Sequence, residues 1–135
     1  MEWQECNKQG YAKKVELDSG RIQDIIKSSN DRERTAKLLP VNETTKETVI
    51  SLFYDTLREL LEALALKHNF KIYNHECYTS FLNNILKDEA LALEFDSLRL
   101  LRNSINYYGK KIELTDSRLI LLKLDKLIRK IKELL

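Results

Sequence analysis

Within the stretch "LRNSINYYGKKI", residues 101 to 112, fall an arginine, two asparagines, two adjacent tyrosines, a glycine and a lysine pair. These are residue types that recognise phosphate and bases. A guanidinium grips two phosphate oxygens with a planar fork. Lysines add point charge, amides donate and accept hydrogen bonds, and a tyrosine ring offers a face on which a base can stack. Arg102, Asn103, Asn106, Tyr107, Tyr108, Lys110 and Lys111 form the candidate ligand-binding set, with Arg99 one turn before them in the same donor-rich patch.

On a helical wheel with Leu98 at zero, Arg102 falls about 40° away, Asn106 about 80°, Arg99 about 100° and Asn103 about 140°. Arg102 therefore sits at the margin of an apolar face, where its stem packs and its charged head needs a partner. That partner is either a ligand anion or a carboxylate, with Glu59 or Glu62 and a subunit-interface salt bridge as the structural alternatives. Tyr107 lies about 180° from Leu98, where a second subunit could cover it together with Arg102. The unpaired carbonyls and negative pole at a helix end oppose phosphate, which Lys110 and Lys111 can offset or merely cap.

No other chemistry declares itself. His68 and His75 lie seven apart across an inter-helical connection with no third ligand spaced to join them, so both are expected to be structural or solvent-exposed. The serines have no triad partners, and no glycine-rich phosphate loop is present. No cofactor or metal site is implied. Cys6 and Cys77 form no C-x-x-C pair and follow no apolar leader, so they are expected as two reduced thiols of a cytoplasmic protein. No apolar run reaches the roughly 18 residues that span a bilayer, and no membrane association is expected. The net charge of +2 among 135 residues says little about nucleic acid without local clustering.

The elements that position these residues are helical. Three glycines and one proline leave little with which to build hairpins or bulges, and the length suits one domain spanning 1 to 135. From Asn42 or Thr44 to about His68, Val49, Phe53, Leu57, Leu60 and Leu64 recur at steps of four and three, in a face wide enough for the interior of a bundle. Asn74 is expected to cap a shorter helix carrying Tyr78, Phe81, Leu82 and Ile85. Asp88 starts the next, with Leu91, Leu98, Leu101, Ile105 and Tyr108 on one side and Gly109 closing it. Thr115 or Asp116 is expected to cap the last helix, where Ile120, Leu124, Leu127, Ile131 and Leu134 align. Asp18 caps a helix that Pro40 terminates, with an apolar face that thins at Ser28, Ser29 and Glu33. Ahead of it, "EWQECNKQGYAKK" suggests a partial helix docking Trp3 on the bundle. Leu57, Leu64, Leu98, Leu124, Leu127 and Ile131 are the predicted core.

The segments "YDTLRELLEALALKHNFKIYNHECYTSFL" and "LRLLRNSINYYGKKI" resemble the compact prokaryotic branch of the HEPN domain family, and the resemblance in looser form covers most of the chain. It implies an all-α, up-and-down bundle of four to five helices, usually a homodimer. Many members of the family are metal-independent ribonucleases, often encoded beside a minimal nucleotidyltransferase in toxin-antitoxin pairs, so the resemblance implies such a setting here. The family's nuclease motif is an arginine, a polar residue and, after four to six intervening positions, a histidine. Arg102 and Asn103 match its beginning, but the histidine positions hold Tyr107, Tyr108 or Gly109. A tyrosine, with a reference pKa of about 10, is a poor base at neutral pH. The resemblance therefore implies a noncatalytic module that binds RNA, a nucleotide or a nucleotidyltransferase partner. A divergent ribonuclease using Tyr107 or a partner's residue, and a purely structural dimeric adaptor, are the alternatives.

Overall fold

The computed structural model describes residues 1–135, which form a helical bundle with one small two-stranded antiparallel sheet. The order is α1 (Trp3–Lys8), β1 (Ala12–Lys14), α2 (Ser19–Leu38), α3 (Lys46–Lys67), β2 (Phe70–Ile72), α4 (Glu76–Asn84), α5 (Glu89–Tyr108) and α6 (Leu114–Leu134). Helix α3 is the hub. Helices α2 and α6 pack along it, α5 crosses it, and α4 lies against α5. All six predicted core residues are buried, together with Tyr54, Tyr78, Phe81 and Phe95.

Local chemistry sets most boundaries. Asp18 accepts a hydrogen bond from the Arg21 amide at 3.0 Å, and Asp88 one from the Leu91 amide at 3.0 Å, so α2 and α5 begin where their caps stand. Gly109 closes α5 at φ 64°, a left-handed conformation that a side chain resists. Before α3, the Asn42 side chain accepts from the amides of Thr44 and Thr45, so Asn42 builds the turn and the helix proper starts at Lys46. Asn74 likewise builds an Asx turn, accepting from the Glu76 amide at 2.9 Å, and His75 takes the N-cap position of α4.

Several expectations are corrected. The last helix starts at Leu114, with Glu113 rather than Thr115 or Asp116 at its N-cap. Tyr108 leaves the apolar face of α5 and is 84% exposed, because the helix outruns the body it packs on. The apolar face of α2 does thin, with Ser28 exposed, but Ser29 and Glu33 are buried there as partnered polar groups. The Ser29 hydroxyl bonds back to the Ile26 carbonyl, and Glu33 is paired with Lys37 and Lys132. Those cations hold the Glu33 carboxyl below its usual range although burial pushes the other way.

The largest correction concerns the cysteines. Cys6 of α1 and Cys77 of α4 form a disulfide across 71 residues, with both residues wholly buried. The two cysteines are therefore bonded to each other and not the reduced pair expected of a cytoplasmic protein. The cross-link works with the sheet. Strand β1 pairs antiparallel with β2, Lys13 opposite Lys71, and Trp3 packs edge-on against Phe70 with Phe81 nearby. The N-terminal segment thus docks on the turn that carries His75.

Candidate anion-binding cleft

Helix α3 presents Tyr54, Arg58 and Glu62 at four-residue steps, which stack on one face. Across from them α5 presents Phe95, Arg99 and Arg102, and the start of α4 supplies His75, Tyr78 and Thr79. The rings form a box at the centre. Tyr54 stacks on Phe95 at 6.0 Å, Tyr78 meets Phe95 edge-on at 6.3 Å, and His75 lies 6.2 Å from both Tyr54 and Tyr78. The Tyr54 hydroxyl approaches Nδ1 of His75 at 3.4 Å.

Three guanidiniums surround this box, and they are held differently. Nε and Nη2 of Arg99 both reach Asp96 at 2.9 Å, and Asp96 also accepts from the Thr79 hydroxyl at 3.0 Å, tying α5 to α4. Arg58 donates to Glu62 at 3.2 Å, and Glu62 is shared with Lys71 and, at 3.8 Å, Arg21. Arg102 lies over the Tyr54 ring, its Cζ 5.3 Å from the centroid. It has one long contact, 3.4 Å from Nη2 to Asp55, and its buried Nε donates to no protein atom. A buried donor left this way costs about 1–3 kcal/mol. The partner is Asp55, neither of the two glutamates expected, because Glu59 is engaged by Arg32 and Glu62 by Arg58 and Lys71.

Burial and these charges set the protonation states. Burial, then Arg58, Arg102 and Arg99, push His75 down from 6.5 to about 4, so the imidazole is neutral at pH 7. Burial pushes the Tyr54 phenol up to about 12 against the pull of Arg102, and burial with Glu62 raises Tyr78 as well. Burial alone would raise Glu62, but Lys71 and Arg58 overcome it and hold the carboxyl low. The cluster therefore sets buried neutral rings beside three arginines, each with a carboxylate partner. No group of three or more His, Cys, Asp or Glu side chains is arranged to hold a metal ion.

Of the residues singled out by sequence, Arg99 and Arg102 enter the cleft. Asn103 is half-buried beside it, and the Asn106 carbonyl accepts from the Ser51 hydroxyl at 3.0 Å. Tyr107 and Tyr108 do not join them; 70% and 84% exposed, they point to solvent. Lys110 and Lys111 are exposed on the loop toward α6, and it is the Lys110 backbone amide, not its ammonium, that satisfies the Ser104 carbonyl. His68 packs edge-on against Phe81. The sequence reading did not single out Tyr54 or Arg58, and it placed His75 as structural or solvent-exposed. The four-residue spacing of Tyr54, Arg58 and Glu62 was the one available signal, and it reads equally as an ordinary helix flank. No family model, curated protein or solved structure matches the chain.

Proposed function

We propose that the chain is a noncatalytic HEPN-like module that binds RNA or a nucleotide by its phosphate at the Arg58, Arg99 and Arg102 cleft. The observation that carries this reading is Arg102: a guanidinium over an aromatic ring, with one long carboxylate contact and a buried Nε without a protein partner. A purely structural ion pair would use the fork better. Arg58 and Arg99, braced by Glu62 and Asp96, add fixed positive charge beside it. Phosphate oxygens satisfy such donors in pairs.

Titration of the purified protein with labelled RNA and with nucleotides tests the reading. Arg102→Ala is expected to weaken binding by about tenfold to a hundredfold, the equivalent of about 1.5–3 kcal/mol for charged hydrogen bonds. Lys110→Ala or Lys111→Ala, each on the exposed loop, should cost less. Affinity should fall as salt rises, because phosphate contacts release counterions. Unchanged affinity in Arg102→Ala contradicts the proposal.

A second reading, a metal-independent ribonuclease, is favoured by one observation: a histidine from another segment faces the same arginines. His75 would then handle the proton that the motif histidine handles elsewhere in the family. With its pKa at about 4 it is a weak base in the free protein, so the noncatalytic reading leads. Efficient chelator-insensitive cleavage, abolished by His75→Gln, would establish the nuclease instead.

The homodimer and the nucleotidyltransferase partner implied by the resemblance belong to the same proposal. Their support is a groove of about 460 Å³ between α5 and α6, lined by Leu93, Leu98, Leu101, Ile120 and Leu127. Its α5 wall carries Glu94 and its α6 wall Lys123 and Lys126, a charge pattern that a two-fold axis makes self-complementary. Sedimentation at micromolar concentration should give a dimer, and a monomer alone counts against it.

A further inference from the structure

Two residues before His75 the chain leaves β2 and exposes a ring that the arginine cleft does not use. Tyr73 is 59% exposed, directly after buried Ile72, since successive side chains at a strand end turn to opposite sides. Its position is fixed by its backbone amide, which donates to the Tyr11 carbonyl at 2.7 Å. The register that sets Lys13 opposite Lys71 brings both ammonium groups to 5.8 Å from the centre of the ring. The two lysines are not equivalent. Lys71 is also bonded to Glu62, whereas Lys13 is exposed and forms no ion pair.

An ion-pair network links this ring's lysine to the arginine cluster. Glu62 joins Lys71 to Arg58, whose charge acts on Tyr78 and His75. The Cα atoms of Tyr73 and His75, two residues apart, lie within about 7 Å of each other. Lys13 and Lys71 flank Tyr73, while Glu16, Asp18 and Arg21 line the adjoining hollow with Lys71 and Tyr73.

We propose that Tyr73 is a base-stacking platform that, with Lys13 and Lys71, extends the cleft into a site for single-stranded nucleic acid. The inference rests on the anion-binding reading above: one phosphate sits in the arginine cleft and a neighbouring base lies on Tyr73. Every base offers a stacking face, so the platform tolerates sequence, and it excludes a duplex, whose bases are already stacked. When a base takes the ring face, Lys13 is free to swing to the adjacent phosphate, because no carboxylate holds it.

The test compares four probes on the full chain: one sequence as single-stranded RNA, as single-stranded DNA and as a blunt duplex, each by fluorescence anisotropy, and inorganic pyrophosphate by calorimetry. Tyr73→Ala should weaken single-strand binding by about fivefold to a hundredfold and leave pyrophosphate binding unchanged. Tyr73→Trp, which keeps a ring, should bind as the parent does. Lys13→Ala should lower the salt slope for the single strand by about one contact's worth. Preference for either single strand over duplex supports the site, and the RNA and DNA arms then distinguish the sugar. Equal affinity of Tyr73→Ala and parent for the single strand overturns the proposal, as does duplex binding as tight as single-strand binding. Pyrophosphate binding without strand binding overturns this inference and leaves the arginine cleft standing; loss of both overturns both.

Discussion

Arg102 sits where its helical phase puts it, at the edge of the apolar face of α5, with its stem packed and its head over Tyr54. That much could be read from residues 98 to 106 alone. What encircles it could not, because Tyr54, Arg58 and His75 come from segments about 45 and 27 residues away, and only the crossing of α3, α4 and α5 joins them. Tyr107 and Tyr108 stand apart from that cluster for the converse reason: proximity in sequence placed them on a helix end that faces water. Two predictions belong to this scale. Asp55 is the only carboxylate that Arg102 touches, so Asp55→Asn should strengthen phosphate binding several-fold in a nucleotide titration. The second concerns acid. The folded-state pKa of His75 is depressed to about 4 from 6.5, so the unfolded chain takes up that proton first and stability falls as pH drops through that window. The lowered carboxyls of Glu33, Glu47 and Glu62 add their losses only below about 4.5, the ordinary glutamate value. Denaturant unfolding between pH 6.5 and 4.5 should therefore flatten in His75→Gln; an unchanged slope would contradict a His75 held neutral by burial and the neighbouring arginines.

At the scale of elements, periodicity found the long helices well because each buries a regular face, and Asp18, Asp88 and Gly109 end them by local chemistry that a sequence displays directly. The strands escaped notice since three residues are too few for an alternation to register, and since β1 exists only by pairing with β2 across 55 or more intervening residues. Glu33 looked like a break in the face of α2, yet its paired lysines make burial tolerable, and one of them comes from α6. The disulfide was hidden by the same distance. It fastens α1 to α4 next to the turn that carries Tyr73 and His75, and the Met1 carbonyl accepting from the Ser80 hydroxyl adds to that seam. Cys77→Ser should lower unfolding free energy by about 2–4 kcal/mol and raise amide exchange in α1 and β1 before the α3 and α6 core opens. Leu64→Ala, at the centre of α3, should cost about 2–5 kcal/mol through the cavity it leaves. Equal exchange rates in α1 and the core of Cys77→Ser would mean that the bridge bears on the whole fold rather than on the N-terminal seam.

The whole molecule is an α-helical bundle in which no helix is long and apolar enough to cross a membrane. Its charge is nearly balanced, and the even total conceals a local excess: around the central rings Arg21, Arg58, Lys71, Arg99 and Arg102 stand against Asp55, Glu62 and Asp96. The bundle creates that excess by bringing three helices to one cleft, and the neutral imidazole at its centre reports on it. His75 is one of only two histidines in the chain, so its titration can be followed by proton resonance spectroscopy and assigned with His75→Gln. In the free protein it should titrate near 4 and move upward when pyrophosphate or RNA is added, since an anion beside Arg102 favours the imidazolium, and in Arg102→Ala the added anion should no longer move it. Titration near the ordinary 6.5, indifferent to added anion, would contradict the arginine cleft as a phosphate site.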